Sequence, residues 1–361
     1  TVILLLSLGL IMVLSASSPT SLSETGDDSY VYFKKQATFA VIGVAAMLFI
    51  SKIDYRFWKK FYKIAYIASI ILLLMVLIPG IGRSAGGARR WINLGIQFQP
   101  SELAKIGLII FYASYLTDHK DELKDFKKGF VKPLLYLIPV VLILILVQDH
   151  LSATIIIVLV VGIMMLMAGV RPKYFATVGT GVAVAGAAGL YAMAKFTSKG
   201  AFRIARITSF LNPWADKQGD GWQVIQSLYA IGSGGLFGVG LGQSKQKYLY
   251  ISEPHTDFIF AVLAEELGFV GCAIVIGLFG IFIWRGVLAA MKAPDMFGSL
   301  VAVGITSLIG LQAIINIAVV TSSKPVTGMP LPFFSYGVTS LLILLCSVGV
   351  LLNISRAGTK V

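Results

Sequence analysis

Long apolar runs, each closed by a short polar stretch, set the pattern of this chain. Ten of them read as helices, at roughly 1–16, 36–51, 61–78, 101–117, 131–147, 151–168, 174–195, 257–285, 298–321 and 335–354. Runs near the ~20 residues that carry a helix across a bilayer read as membrane spans. A strand reading fails, because the runs are too long for strands and lack polarity of period two. The predicted fold is an all-α polytopic membrane protein of about ten transmembrane helices, forming a single membrane domain over residues 1–361. A long extracytoplasmic loop, 196–256, lies between its helices 7 and 8. Gln148-Asp149-His150 alone separates 131–147 from 151–168, which predicts a tight helical hairpin. Thr1 leads straight into Val2–Leu14 with no basic flank or cleavage site, so the first span reads as truncated rather than as a signal peptide.

Composition sharpens this picture. Of 361 residues, 57% are hydrophobic and 13% charged, which would leave a soluble globule with too much exposed apolar surface. The formal net charge of +13 suits anionic head groups or a phosphorylated lipid. The basic residues are dispersed among hydrophobic spans, so nucleic acid is not an expected partner. Cys272 and Cys346 both fall inside apolar runs and form no metal or redox spacing. Basic residues cluster after the second and fourth predicted spans (Lys52, Arg56, Lys59; Lys120, Lys124, Lys127) and recur at Arg171, Arg285 and Arg356. By the positive-inside rule these loops and both termini lie in the cytoplasm. Arg83, Arg89 and Arg90 then fall on the translocated side, where an anionic ligand is a natural reason for them.

The outward-facing polar groups carry the candidate chemistry. Gly82–Gly95 joins a glycine-rich backbone to Arg83, Arg89, Arg90 and Trp91. Guanidinium forks suit phosphate oxygens and indole favours the head-group layer, although a surface turn anchored in the interface has the same composition. Pro100 can start the fourth span, and Glu102 and Lys105, three residues apart, can pair on one helical face. That pair reads equally as a structural clip or as a catalytic acid and a cation touching pyrophosphate. Asp149, at the hairpin tip, reads as a cavity group or as a solvated turn.

The long loop holds Arg203, Arg206, Asn212–Asp216 and Gly219–Gln223, and shows no clear long helix. Its Gly232–Gly242 run is no nucleotide fingerprint, since no strand precedes it; the glycines suit close backbone packing. Lys245 and Lys247 offer cations just before Glu253-Pro254-His255-Thr256-Asp257. Thr256 or His255 can cap the next helix, placing Asp257 in its first turn as a cap or a catalytic carboxylate. Glu265 and Glu266 point to different sides of that helix, so one or both support packing. His255 beside one aspartate is weak evidence for a metal. Lys324 and Ser335, either side of three prolines, can close a polar cavity or belong to a rigid loop.

Gly87–Gly95, Gln99–Lys105, Gln226–Gly242, His255–Gly268 and Pro325–Ser340 together resemble, in order, the shape, elongation, division and sporulation (SEDS) family of peptidoglycan polymerases. The resemblance covers essentially the whole chain and is closest to the FtsW/SpoVE branch, with RodA sharing many motifs. One departure is Gly337-Val338, where relatives often carry paired glycines. The resemblance implies a membrane glycosyltransferase that polymerises lipid II outside the cytoplasmic membrane, with Asp257 as the essential acid. It places Arg89, Arg90, Glu102, Lys105 and Asp149 in a polar cavity, and implies a class B penicillin-binding protein as transpeptidase partner beside other divisome or sporulation cell-wall proteins. On this reading Arg89, Arg90, Lys105, Lys245 and Lys324 face pyrophosphate, while Glu102, Asp149, His255 and Ser335 support the cavity. No organic cofactor is expected; a divalent cation, Mg2+ or Mn2+, is compatible with the chemistry. The rival expectation is a lipid II flippase, because polar groups within spans and broken helices also suit transporters.

Overall fold

The computed structural model describes residues 1–26, 28–85, 88–93, 95, 97–181, 212–215, 221–248, 250–251, 254–326 and 328–359. Among them, seven helices are long and apolar enough to cross a membrane: Val2–Glu24, Val31–Ile50, Phe126–Val147, Leu151–Ala168, Ile259–Met291, Met296–Val320 and Val338–Gly358. The chain is a multi-pass helical membrane protein. Two further predicted spans are helices of a different kind. Tyr62–Met75 is short, and Pro100–Asp118 carries charge in its first turn. A helix over 172–181 covers the start of the expected seventh span, 174–195; the remainder of it, and Arg203, Arg206, Asp216 and Gly219-Asp220, lie outside the described residues.

The described chain forms two compact units. The first is drawn from Thr1–Ala37, Lys173–Gly280 and Gln312–Tyr336, and the second from Thr38–Pro172, Ile281–Leu311 and Gly337–Val361.

In the second unit, helix Pro100–Asp118 packs on Tyr62–Met75 and on Leu151–Ala168. Pro100 opens its helix, where the missing N–H of proline would have had no intrahelical partner. The hairpin is tight, as expected. Its first arm ends in a π-helical turn, Ile143–Val147, and its second starts at Leu151. The glycine-rich stretch that carries the arginines forms an antiparallel sheet: β1 (Gly82–Ala85), β2 (Ala88–Asn93) and β3 (Gln97–Phe98), in the order β1-β2-β3. Gly82 faces Ile92, Arg83 faces Trp91, and Ile92 faces Phe98, with a bulge between Arg83 and Ser84. Glycines and arginines masked the alternation that marks a strand; the cross-strand partners supply it.

In the first unit, the expected loop 196–256 contains a helix, Trp222–Gly234. The most consequential backbone feature is the break in Ile259–Met291 at Gly268, where φ is 65° and ψ −164°. The portion beyond the break, residues 269–291, is roughly 35 Å long at 1.5 Å per residue, which spans a bilayer unaided. The portion before it is a short helix of its own. Carbonyls freed by the break find donors in the glycine-rich run: Val239 N–H donates to Glu265 O (2.9 Å) and Gly240 N–H to Glu266 O (3.1 Å). In return Phe269 and Val270 donate to Gly235 and Leu236.

The two backbones approach so closely that a Cβ on Gly268 would lie 2.3 Å from the Gly238 nitrogen. Gly268→Ala therefore meets both a collision and a backbone region almost reserved for glycine, a strain of about 1–3 kcal/mol before any repacking. The expected outcome is a clearly lower thermal midpoint of the detergent-solubilised protein; a variant that melts with the wild type would contradict this packing.

Candidate active site

In the first unit, Pro254–Phe258 form a run of turns and the helix starts at Ile259. Asp257 thus stands two residues ahead of the helix rather than in its first turn. Two side chains from a distant stretch hold it there. Asn316 Nδ2 donates to Asp257 O (2.8 Å) and to Met329 O (2.5 Å). Ser335 Oγ donates to Thr256 O (2.6 Å) and accepts from Leu331 N–H (2.7 Å). Tyr336 N–H donates to His255 O (2.8 Å), and Gln36 Nε2 to Ser335 O (3.2 Å). The backbone at the acid is therefore fixed by helix Met296–Val320 through Asn316 and by the residues after the proline-rich segment through Ser335 and Tyr336.

Gly328, at φ 58°, lies against the carboxylate: a Cβ there would sit 3.2 Å from Asp257 Oδ2. The His255 ring is buried against Tyr32 (centroids 4.9 Å) and Tyr336 (5.8 Å), and Tyr32 Oη donates to Glu24 Oε2 (2.5 Å). Lys245 and Lys324 are exposed.

Glu265 and Glu266 are both buried and brace the approach to this turn. Glu265 accepts from Ser244 Oγ (2.5 Å) and from the N–H groups of Lys245 (3.0 Å) and Gln246 (3.3 Å). Glu266 Oε1 accepts from Lys247 Nζ (3.0 Å), Ser15 Oγ (2.6 Å) and Ser244 N–H (3.3 Å). Lys247 Nζ also donates to Ser15 Oγ (2.9 Å) and to Gly242 O (2.8 Å). Lys247 pairs with Glu266, while the hydroxyl of Ser244 and the backbone N–H dipoles of Lys245 and Gln246 stabilise Glu265. The sequence offered both Lys245 and Lys247 as cations, and Lys245 was the one favoured for the site. The two look alike in one dimension, and only burial separates them.

The remaining predicted residues lie in the second unit. Arg89 is exposed on β2 and Arg90, its neighbour, is half-buried. Arg90 Nε donates to Gln148 O (3.2 Å) and Nη2 to Asp149 O (2.5 Å), clamping the hairpin tip. Asp149 sits at φ 49°, a conformation aspartate tolerates better than most residues. Gln148 Nε2 donates to Leu73 O (2.9 Å). Lys105 Nζ pairs with Glu102 Oε1 at 2.6 Å, so the clip read from the i,i+3 spacing forms, and it is buried. His150, not singled out as a site residue from the sequence, is buried at the N-terminal boundary of helix Leu151–Ala168 and makes no side-chain capping bond there. Burial, then the charges of Arg90 and Lys105, push its pKa down to about 3, so the ring is neutral at physiological pH.

Among the described residues, no group of three or more His, Cys, Asp or Glu side chains converges to hold a metal ion.

Comparison with known proteins places these features. The family model of the FtsW/RodA/SpoVE cell cycle proteins matches residues 1–360. Stage V sporulation protein E of Bacillus subtilis (strain 168) is 47% identical over 355 residues, spanning 98% of this chain and 94% of the relative. A probable peptidoglycan glycosyltransferase FtsW of Geobacter sp. (strain M18) is 43% identical over 354 residues, spanning 98% and 94%. Among solved structures, one described as "Structural coordination of polymerization and crosslinking by a peptidoglycan synthase complex" superposes with a TM-score of 0.77 at 28% identity, covering 98% of this chain and 97% of the other. The crystal structure of the rod shape determining protein RodA of Thermus thermophilus gives 0.65 at 29% identity, covering 96% and 94%.

Proposed function

The chain belongs to the FtsW/RodA/SpoVE family of cell cycle proteins, and from that premise we propose that it is a peptidoglycan glycosyltransferase that polymerises lipid II at the outer face of the bacterial cytoplasmic membrane, with both termini cytoplasmic. The observation that carries the reading is the turn holding Asp257. Its backbone is fixed by Asn316 and Ser335, and Gly328 leaves room at the carboxylate. Fixed geometry is what a general base needs, because proton transfer demands a set distance to the reacting hydroxyl.

In the proposed reaction, Asp257 takes the proton of the acceptor N-acetylglucosamine 4-hydroxyl. The freed oxygen bonds to C1 of the growing chain's N-acetylmuramic acid with inversion. The bond from C1 to phosphate oxygen breaks, and undecaprenyl pyrophosphate leaves with the electron pair. Arg89, Arg90, Lys105, Lys245 and Lys324 are the candidate cations for the pyrophosphate charge. A divalent cation, Mg2+ or Mn2+, would have to be held mainly by the substrate's own pyrophosphate, since among the described residues no three His, Cys, Asp or Glu side chains converge and Asp257 would be the one protein carboxylate to add to it; it would neutralise leaving-group charge. An apolar recess of about 280 Å³ beside the Gly268 break, lined by Ile231, Phe260, Phe269, Cys272 and Ile317, suits a polyprenyl tail.

The strand made here requires crosslinking, so the partner is a class B penicillin-binding protein, a reading supported by the similarity to a peptidoglycan synthase complex. The likeness to a sporulation protein and to FtsW points to spore or septal wall synthesis. The deciding experiment gives the purified chain labelled lipid II, with and without such a partner, and separates products by size. Glycan strands are expected; lipid movement across vesicles without glycan would replace the polymerase by a flippase.

A further inference from the structure

We propose that the first turns of helices Pro100–Asp118 and Leu151–Ala168 form a pyrophosphate seat in which His150 and Ser101 act with Lys105 on the headgroup of a polyprenyl-linked substrate or product. This inference rests on the lipid II reading above. The two helices pack together, which brings Lys105 of one near His150 of the other. Their N-terminal residues, Gln99 and His150, make no side-chain capping bond. Helix N-termini leave N–H groups unsatisfied and carry partial positive charge, a setting that favours anions.

Three side chains at this place lack a full set of hydrogen-bond partners among the described residues. Ser101 Oγ is fully buried and has no hydrogen-bond partner among the described residues. His150 is 6% exposed, and its Nδ1 has none either. Lys105 makes its one hydrogen bond among the described residues to Glu102, and an ammonium has three N–H groups. Buried polar groups are normally partnered, so a local cluster of unpartnered donors points to a missing acceptor.

The remaining contacts pre-set this geometry. Arg90 clamps the carbonyls of Gln148 and Asp149, Gln148 anchors to Leu73 O, and His150 N–H donates to Leu144 O (2.8 Å). Held neutral beside Arg90 and Lys105, the imidazole offers an N–H without adding a third positive charge. Glu102 offsets the charge of Lys105, so directed donors rather than net charge select the ligand. That arrangement favours a pyrophosphate, with its many acceptor oxygens, over a singly charged lipid phosphate.

The test measures affinity of the detergent-solubilised protein for undecaprenyl pyrophosphate, inorganic pyrophosphate, orthophosphate and phosphatidylglycerol, beside KM and kcat for lipid II. His150→Ala and Ser101→Ala are each expected to weaken undecaprenyl pyrophosphate binding about tenfold and to raise KM similarly, as for a lost bond to a charged group. His150→Asn, which keeps a donor near Nδ1, should recover affinity to within about threefold. Inorganic pyrophosphate should show the same ranking of variants. A folded His150→Ala protein with wild-type affinity overturns the proposal. If the histidine variant does not fold, a folded Ser101→Ala protein with wild-type affinity overturns it instead. Equal affinity for phosphatidylglycerol or orthophosphate also overturns it. Wild-type protein that binds the pyrophosphate lipid but makes no glycan would sink the polymerase reading and leave the seat standing.

Discussion

Asp257→Asn is expected to lower the rate of lipid II polymerisation by about 10²–10⁴-fold, the usual contribution of a positioned general base. Asparagine keeps the size of the side chain and removes its capacity to take a proton. The bonds that hold the turn are made to backbone atoms of Thr256 and Asp257, so the substitution leaves them in place. The variant should therefore fold, melt near the wild type and bind undecaprenyl pyrophosphate with unchanged affinity while kcat collapses. Single-turnover measurement with labelled lipid II separates the chemical step from product release. Normal polymerisation by a well-folded Asp257→Asn protein would remove Asp257 from the chemistry. A paired fall in melting temperature and activity would instead make it a structural cap.

The second large effect is expected at Lys247. Its ammonium and the Glu266 carboxylate are 3% and 0% exposed, and lie 3.0 Å apart. Removing one member of a buried pair leaves the other charge without compensation, which typically costs about 3–5 kcal/mol. Lys247→Met should thus lower the thermal midpoint on the order of 10 °C. The double variant Lys247→Met/Glu266→Gln removes both charges, keeps an acceptor for Ser15, and should recover most of the loss. That recovery is the diagnostic result, since simple damage to packing would make the double variant worse than either single one. Because the same network ties Ser244–Lys247 to the helix that follows Asp257, the single variant should lose polymerisation along with stability.

Much of the candidate site was legible because its signals are local. Pro100 marks the start of its helix, and Glu102 and Lys105 pair as i,i+3 neighbours must. Asp257 announces itself as a carboxylate at the mouth of an apolar run. Asn316 did not, because an asparagine inside a hydrophobic helix gives no sign of which backbone it will hold. His150 stayed hidden for a related reason: its charge state follows from burial and from two cations brought near by folding. The sheet at 82–98 was not foreseen because its strands are too short for alternation to show, and pairing with a neighbour is what makes them strands.

The one-dimensional pattern by itself determined that this is a membrane protein built of helices, and roughly where most of them run. Lipid accepts only long apolar segments whose backbone bonds are satisfied internally, and that demand is written residue by residue. Folding alone decided which polar groups are buried and with whom: Lys247 with Glu266 and Ser15, Asn316 with the Asp257 backbone, Arg90 with the hairpin tip. Those energies depend on distance and on exclusion of water, and neither is a property of a residue's neighbours in sequence.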